Sequence, residues 1–222
     1  VPGGFGKRGI EGKIVAAHYA RGPKADEIQE RYRTDPNTDY HRLVQDWTGI
    51  DRTSAKRLNF GLAYFMGPRS MSRKFHWPLE KATELVQTYN ETVPFLSVTR
   101  AVVVAAAKAK GYIHTILGRR CRMSPAIRKA KKEYVAFNRL IQGTAADVMK
   151  KSMADAWKSG VFNTLVPHLT VHDELDVSVP RTGEGRDAFR ELKACMENAV
   201  KLRVPVIAEA EMVQITTARQ TR

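Results

Sequence analysis

Leu169-Thr170-Val171-His172-Asp173-Glu174-Leu175-Asp176-Val177-Ser178-Val179 alternates apolar and polar residues on both sides of an acidic centre. That is the period of a half-buried strand. It predicts two short strands within 165–180, Leu169-Thr170-Val171 and Leu175-Asp176-Val177-Ser178-Val179, with Asp173 and Glu174 at the tip between them. Adjacent carboxylates repel each other and do not enter an apolar core unpaired. A divalent cation relieves that repulsion, and hard oxygen ligands suit magnesium. By itself, the tripeptide His172-Asp173-Glu174 also fits an exposed turn.

Upstream of the hairpin the signals are helical. Asp35-Pro36-Asn37 stops a helix that begins near Ala25, and Thr38 or Asp39 caps a short one through Trp47, closed by Gly49. Asp51 caps the next, which runs to about Phe65. A loop containing Gly67, Pro68 and Pro78 follows. Leu79, Ala82, Val86 and Tyr89 then recur at the spacing of an amphipathic helix. Pro94 breaks that helix, another continues through Lys108, and a long one runs from about Tyr134 to Trp157, ended by Gly160. Downstream of the hairpin, Phe189, Leu192, Met196 and Val200 mark a last helix, and 204–212 a last strand. Gly3, Gly4 and Gly6 make Val1–Gly6 loop-like. Helices first, then strands with a helix, predict an α+β protein with a small antiparallel sheet.

The chain has 222 residues, room for one good-sized domain or two small ones. With 43% hydrophobic and 27% charged residues it falls outside the disordered class. Its 37 basic and 23 acidic residues leave a net charge of +14, which favours a polyanionic partner, nucleic acid before any other. Cys121 and Cys195 are too few for a disulfide scaffold or a zinc site, which points to a reducing compartment. The longest apolar stretch, about Ala101 to Ala107, is too short to span a bilayer, so no membrane partner is expected. There is no signal-peptide pattern, and the start at Val1 reads as a trimmed or incomplete chain.

Two more constellations carry chemistry. On the helix after Asp51, residues Arg52, Lys56, Phe60 and Tyr64 are four apart and form one slowly turning stripe. Two cations grip phosphates at one end, and two aromatics stack on a base at the other. Spacing alone favours a plainer reading, a solvated basic face with its aromatics in the core. On the long helix, Phe137, Ile141, Thr144 and Val148 form an inward stripe. Asn138 and Gln142 share another side beside Ala145 and Ala146. Amides flanked by small residues suit the acceptors of a DNA minor groove, although a pair of surface amides has the same pattern. Between these helices, Lys108 to Lys132 holds nine Lys or Arg residues and no Asp or Glu, a run better matched to phosphates than to helix salt bridges.

In this order the motifs resemble the fingers and palm, the C-terminal part, of phage-type family A DNA polymerases. Arg52-x-x-x-Lys56-x-x-Asn59-Phe60-Gly61-x-x-Tyr64 resembles the fingers motif, and Gly111-Tyr112-x-x-Thr115-x-x-Gly118-Arg119-Arg120 the segment entering the palm. Asn138-x-x-x-Gln142-Gly143-Thr144-Ala145-Ala146-Asp147 and Val171-His172-Asp173-Glu174 resemble the palm helix and catalytic hairpin. The resemblance implies helical fingers over 19–132 and a palm over 133–222, with 1–18 as a residual palm segment. It implies that Arg52 and Lys56, helped by His41, hold the triphosphate of a dNTP, that Phe60 packs on its sugar and base, and that Tyr64 sits by the template. Arg119, Arg120, Asn138, Gln142 and His172 would contact primer–template DNA. Asp173, with Glu174 beside it, would ligate catalytic Mg²⁺, two ions being expected. Phe60 in place of Tyr implies discrimination against dideoxynucleotides.

One family motif is broken. Its Asp-Tyr-Ser-x-x-Glu-x-Arg segment places the first Asp eleven residues before a His, and counting back from His18 reaches Lys7, with Gly12 and Ile14 at the Glu and Arg positions. A one-residue slip recovers Glu11 and Lys13 but puts Gly6 where the Asp belongs. Phe65 also stands where the family has Gly. The first metal-binding Asp, the strand that carries it and the thumb are therefore expected to be missing. The favoured reading is one subunit of a split polymerase, its partner polypeptide supplying the Asp and thumb, in the cytoplasm of a bacterium or phage-infected host. The alternatives are a polymerase-derived module that binds DNA without catalysis and a piece cut from a longer enzyme. A single-subunit RNA polymerase fits less well, because its hairpin has Ser in place of Glu174 and its fingers helix lacks Asn59-Phe60-Gly61.

Overall fold

The computed structural model describes residues 2–6, 10, 14, 18–63, 66–130, 132 and 134–212. The chain divides into two compact units, Val1–Ile10 with Ala145–Arg222, and Glu11–Thr144. In chain order the elements begin with strand β1 (Pro2–Gly6). Helices α1 (Ala25–Thr34), α2 (Tyr40–Thr48), α3 (Arg52–Ala63), α4 (Pro68–Phe75), α5 (Leu79–Thr92) and α6 (Pro94–Lys110) follow. A hairpin of β2 (Tyr112–His114) and β3 (Arg120–Arg122), a short α7 (Pro125–Lys129) and the long α8 (Val135–Ser159) come next. The chain continues through β4 (Val166–Val171), β5 (Glu174–Ser178), α9 (Gly183–Asn198) and β6 (Glu209–Met212).

In the helical unit, local chemistry sets the ends of the elements. Asp39 caps α2 by accepting from the N–H groups of His41 and Arg42, and Gly49 ends it with φ 71°, a left-handed conformation that costs glycine least. Asp51 accepts from the Ser54 N–H at 2.9 Å and starts α3. Tyr32, Tyr89 and Phe95 are buried here, and the Tyr40 and Tyr89 hydroxyls hydrogen-bond at 2.9 Å. A second cluster joins Ala107, Ile113, Met123, Ala136 and Leu140, where the small hairpin packs between α6 and the start of α8. The Gly67–Pro78 loop contains a helix instead: Pro68 stands at the first position of α4, where its missing N–H costs nothing, and Met71 is buried.

The other unit is a four-stranded antiparallel sheet in the order β4-β5-β1-β6. Leu175, Val177, Phe189, Leu192 and Met196 are buried together with Met149 and Ala156 from α8, so α9 and the end of α8 form the core on β5. The hairpin strands run over Val166–Val171 and Glu174–Ser178, a register shift between Pro167 and Leu169 separating the start of β4 from its end. Helix α9 ends at Asn198, two residues before the buried Val200.

Two features of this sheet differ from the sequence reading. Val1–Gly6 is not loop-like: Pro2–Gly6 is a central strand, bonded to β5 on one side and β6 on the other. Two flanking ladders supply the order that a glycine-rich segment lacks by propensity. The last strand covers only Glu209–Met212. Val204, Val206 and Ala208 are buried without strand pairing, in a segment where Pro205 has no N–H to offer a ladder.

Candidate nucleotide and nucleic-acid site

The first turns of α2 and α3 bring His41, Arg52 and Lys56 to one place, with Asp39 among them. Arg52 and Lys56 lie one turn apart on α3, both exposed. Asp39 Oδ2 accepts from Arg52 Nη2 at 2.6 Å and Nε at 3.1 Å, tying the start of α3 to the start of α2. Burial works to raise the pKa of Asp39, but the hydrogen bonds from Arg52, His41 and Arg42 outweigh it and hold the carboxyl below its ordinary range. His41 is half-buried, and its Nδ1 lies 2.7 Å from the Asn59 amide nitrogen. An amide nitrogen only donates, so the ring nitrogen it meets accepts, as neutral imidazole does. Burial lowers the His41 pKa. Asp39 opposes that shift, while Lys56 and Arg52 add to it. Phe60 belongs to α3, but its side chain, like all of Tyr64, lies outside the described residues.

The inward stripe of α8 is as the spacing requires: Phe137, Ile141, Thr144 and Val148 are all buried. Asn138 is half-buried and Gln142 exposed, on another side of the helix. Arg119 is exposed, and its Nη2 donates to the Gly143 carbonyl at 2.7 Å. A Cβ on Gly143 would stand 2.9 Å from Thr115 Cγ2 and 3.0 Å from Arg119 Nη2, so the absence of a side chain there lets the β2–β3 turn approach the helix. The Arg120 guanidinium lies 4.5 Å from the centre of the Tyr112 ring, a cation–π contact across the hairpin. Arg139 Nη1 donates to the Arg122 carbonyl at 2.8 Å. Asn59 stands in the fingers motif without a role of its own, Arg139 has none in the palm-helix motif, and Asp39 reads from its neighbours only as a helix cap. The caps and stripes were local patterns, whereas these three side chains reach across elements.

At the hairpin tip, His172 adopts φ 54°, a left-handed conformation uncommon in residues other than glycine. Asp173 is half-buried and Glu174, the first residue of β5, is exposed. On one side Glu174 faces Val171 of β4, and on the other it faces Gly6 of β1. A strand, β1, thus lies beside the hairpin, and it carries no carboxylate. Val1–Ile10 contains no Asp or Glu. Among the described residues, no group of three or more His, Cys, Asp or Glu side chains is placed to hold a metal ion. Asp173 and Glu174 alone do not fit a site for two Mg²⁺ ions, which needs carboxylates from facing strands.

The sequence model of DNA polymerase family A matches residues 24–216. A DNA-directed DNA polymerase of Pseudomonas phage M6 is 31% identical over 227 residues, covering 82% of this chain and 33% of that protein. DNA polymerase I of Bacillus caldotenax is 32% identical over 207 residues, covering 86% of this chain and 23% of that protein. This chain thus spans a third or less of the length of these two relatives. Among solved structures, the POL domain of Pol1 from M. smegmatis, in complex with DNA primer–template and dNTP, superposes with a TM-score of 0.79. It is 26% identical, and the match covers 94% of this chain and 38% of that one.

Proposed function

Because the chain belongs to DNA polymerase family A, we propose that it serves template-directed DNA synthesis in DNA replication, the transfer of nucleotides from dNTPs to a primer 3′-hydroxyl. The observation that carries this reading is that Asp39 holds Arg52 and Asn59 holds His41, with Lys56 close enough to His41 to act on its charge. In this reading residues 19–132 act as fingers and 133–222, with the first segment, as palm. Arg52 and Lys56 bind the triphosphate, and a neutral His41 donates to it from the ring nitrogen that does not face Asn59. Phe60 packs on the nucleotide and Tyr64 lies by the templating base. Arg119 and Arg120 line the phosphate path, while Asn138, Gln142 and His172 meet the primer–template. The relative solved with primer–template and dNTP supports those two ligands.

Asp173 and Glu174 are the chain's own catalytic carboxylates in this proposal. The further carboxylate required for magnesium comes from a second polypeptide, which also brings the thumb. Since β1 already fills the ladder beside β5, that polypeptide reaches the hairpin at its tip and does not insert a strand. A second reading, a polymerase-derived module that binds DNA without catalysis, draws on the same register, Gly6 against Glu174. The site of action under either reading is the cytoplasm of a bacterium or phage-infected host. Among the described residues no single helix is long and apolar enough to cross a membrane.

Magnesium-dependent primer extension separates the two readings, measured with this chain alone and with candidate partner polypeptides added. Nucleotide addition in either mixture supports synthesis. DNA binding that weakens steeply with salt, with no nucleotide added in any mixture, supports the non-catalytic module.

A further inference from the structure

We propose that Asp39 is a latch on the triphosphate site: it holds Arg52 while no nucleotide is bound, and must release it before Arg52 can grip phosphate. The proposal rests on the reading of Arg52 as a triphosphate ligand. Each Asp39 oxygen has its own task. Oδ1 accepts from the N–H groups of His41 at 2.9 Å and Arg42 at 3.4 Å, fixing the start of α2. Oδ2 takes both Nη2 and Nε of Arg52, leaving only part of the guanidinium fork for another anion.

The site itself explains why Arg52 needs such a partner. It is the first residue of α3, where the positive end of the helix dipole disfavours a cation, and Lys56 lies one turn away. A carboxylate opposite it offsets both effects. An incoming triphosphate carries several negative charges and competes for the same guanidinium, and it is also repelled by Asp39. The pair is accessible enough for exchange, with the Arg52 side chain 57% and the Asp39 side chain 34% exposed. Asp39 therefore weakens nucleotide binding while it keeps Arg52 in position, and it favours release of pyrophosphate by returning to the vacated guanidinium. It is a positioning residue, acting through Arg52.

The test is equilibrium binding of dNTP and of inorganic tripolyphosphate to the full chain with primer–template DNA. Asp39→Asn keeps a capping oxygen and removes the charge. It should tighten both ligands about two- to fivefold, the range of an exposed ion pair, and the gain should shrink as salt rises. In an Arg52→Ala background the same substitution should give little or no gain, the non-additivity expected of two residues that act as one. Asp46→Asn, at the other end of α2, controls for added positive charge and should leave both affinities nearly unchanged. Unchanged or weaker binding by Asp39→Asn, while Arg52→Ala still loses affinity, overturns the latch alone. If Arg52→Ala binds triphosphate as the wild type does, the nucleotide-site assignment falls and the latch with it.

Discussion

Gly6, the last residue of β1, stands directly across the antiparallel ladder from Glu174. Residues paired this way project from the same face with Cβ atoms about 4.5–5.5 Å apart, close enough for two carboxylates to share a cation. Gly6→Asp should therefore create a divalent-ion site beside Asp173. Without metal the added charge opposes Glu174 and lowers the melting temperature. Mn²⁺ should restore it and bind about tenfold more tightly than to the wild type. Mn²⁺ titration followed by electron paramagnetic resonance reads this directly. Equal affinity in the two proteins would mean that the end of β1 does not face the hairpin acids.

The proposed site also predicts a division of labour among three substitutions. Arg52→Ala and Lys56→Ala should each weaken dNTP binding about tenfold or more, the loss of a charge-assisted contact to phosphate, with little change for duplex DNA. Asp173→Ala should leave DNA affinity within about twofold and abolish any nucleotide addition measured with a partner. Anisotropy with labelled primer–template, beside equilibrium dNTP binding, separates these outcomes. Equal losses of DNA affinity in all three variants would contradict the assignments.

What the sequence disclosed was local. Asp39, Asp51 and Gly49 mark helix ends because a cap needs only its neighbours, and the Phe137–Val148 stripe emerges because burial follows the helix period. Strand β5 was legible for the same reason, since Leu175 and Val177 are buried, whereas β4 is exposed along its whole length. Strand β1 was not, since Pro2-Gly3-Gly4-Phe5-Gly6 has weak strand propensity and its partners lie more than 160 residues further along. Helix α4 was hidden by the pairing of Gly67 with Pro68, a turn signal that here marks a helix start. The β2–β3 hairpin lay inside a basic run whose charge masked its three-residue strands. In the site, the cap at Asp39 could be read but its pairing with Arg52 could not. One is a contact between neighbours, the other a meeting of two helices.

His41 makes stability depend on pH. Its pKa is lowered in the folded chain, chiefly by burial, so the folded state favours neutral imidazole. On lowering pH through about 6.5, the unfolded chain takes up a proton before the folded chain does. The stabilisation is thus complete above that value and is lost as pH falls toward the folded pKa. Urea unfolding of the wild type and His41→Gln between pH 8 and 5 isolates this residue, because the other five histidines are common to both. The stability advantage of the wild type should shrink on acidification. A difference that stays constant with pH would show that His41 titrates alike in both states.

Gly185 lies buried in the first turn of α9, where the Thr182 hydroxyl accepts its N–H at 3.0 Å. A Cβ built there would stand 2.3 Å from the Pro180 carbonyl oxygen and 3.0 Å from the carbonyl carbon. Both are backbone atoms, so no side chain can swing aside, and the 180–185 turn itself must open. Overpacking of this kind costs about 1–3 kcal/mol. Alanine's better helix propensity returns at most about 1 kcal/mol. Gly185→Ala should therefore be destabilised by about 1–2 kcal/mol, a fall of roughly 2–8 °C in melting temperature for a chain of this size. Thr182→Ala, which removes only the cap, should cost about 1 kcal/mol without any clash. Relieving the clash requires the turn to move away from α9, so the glycine variant should also expose the nearby backbone amides to faster hydrogen exchange, whereas the cap variant should affect only the first turn. Wild-type stability in Gly185→Ala would show that the turn yields freely and that close approach to Pro180 is not what demands glycine.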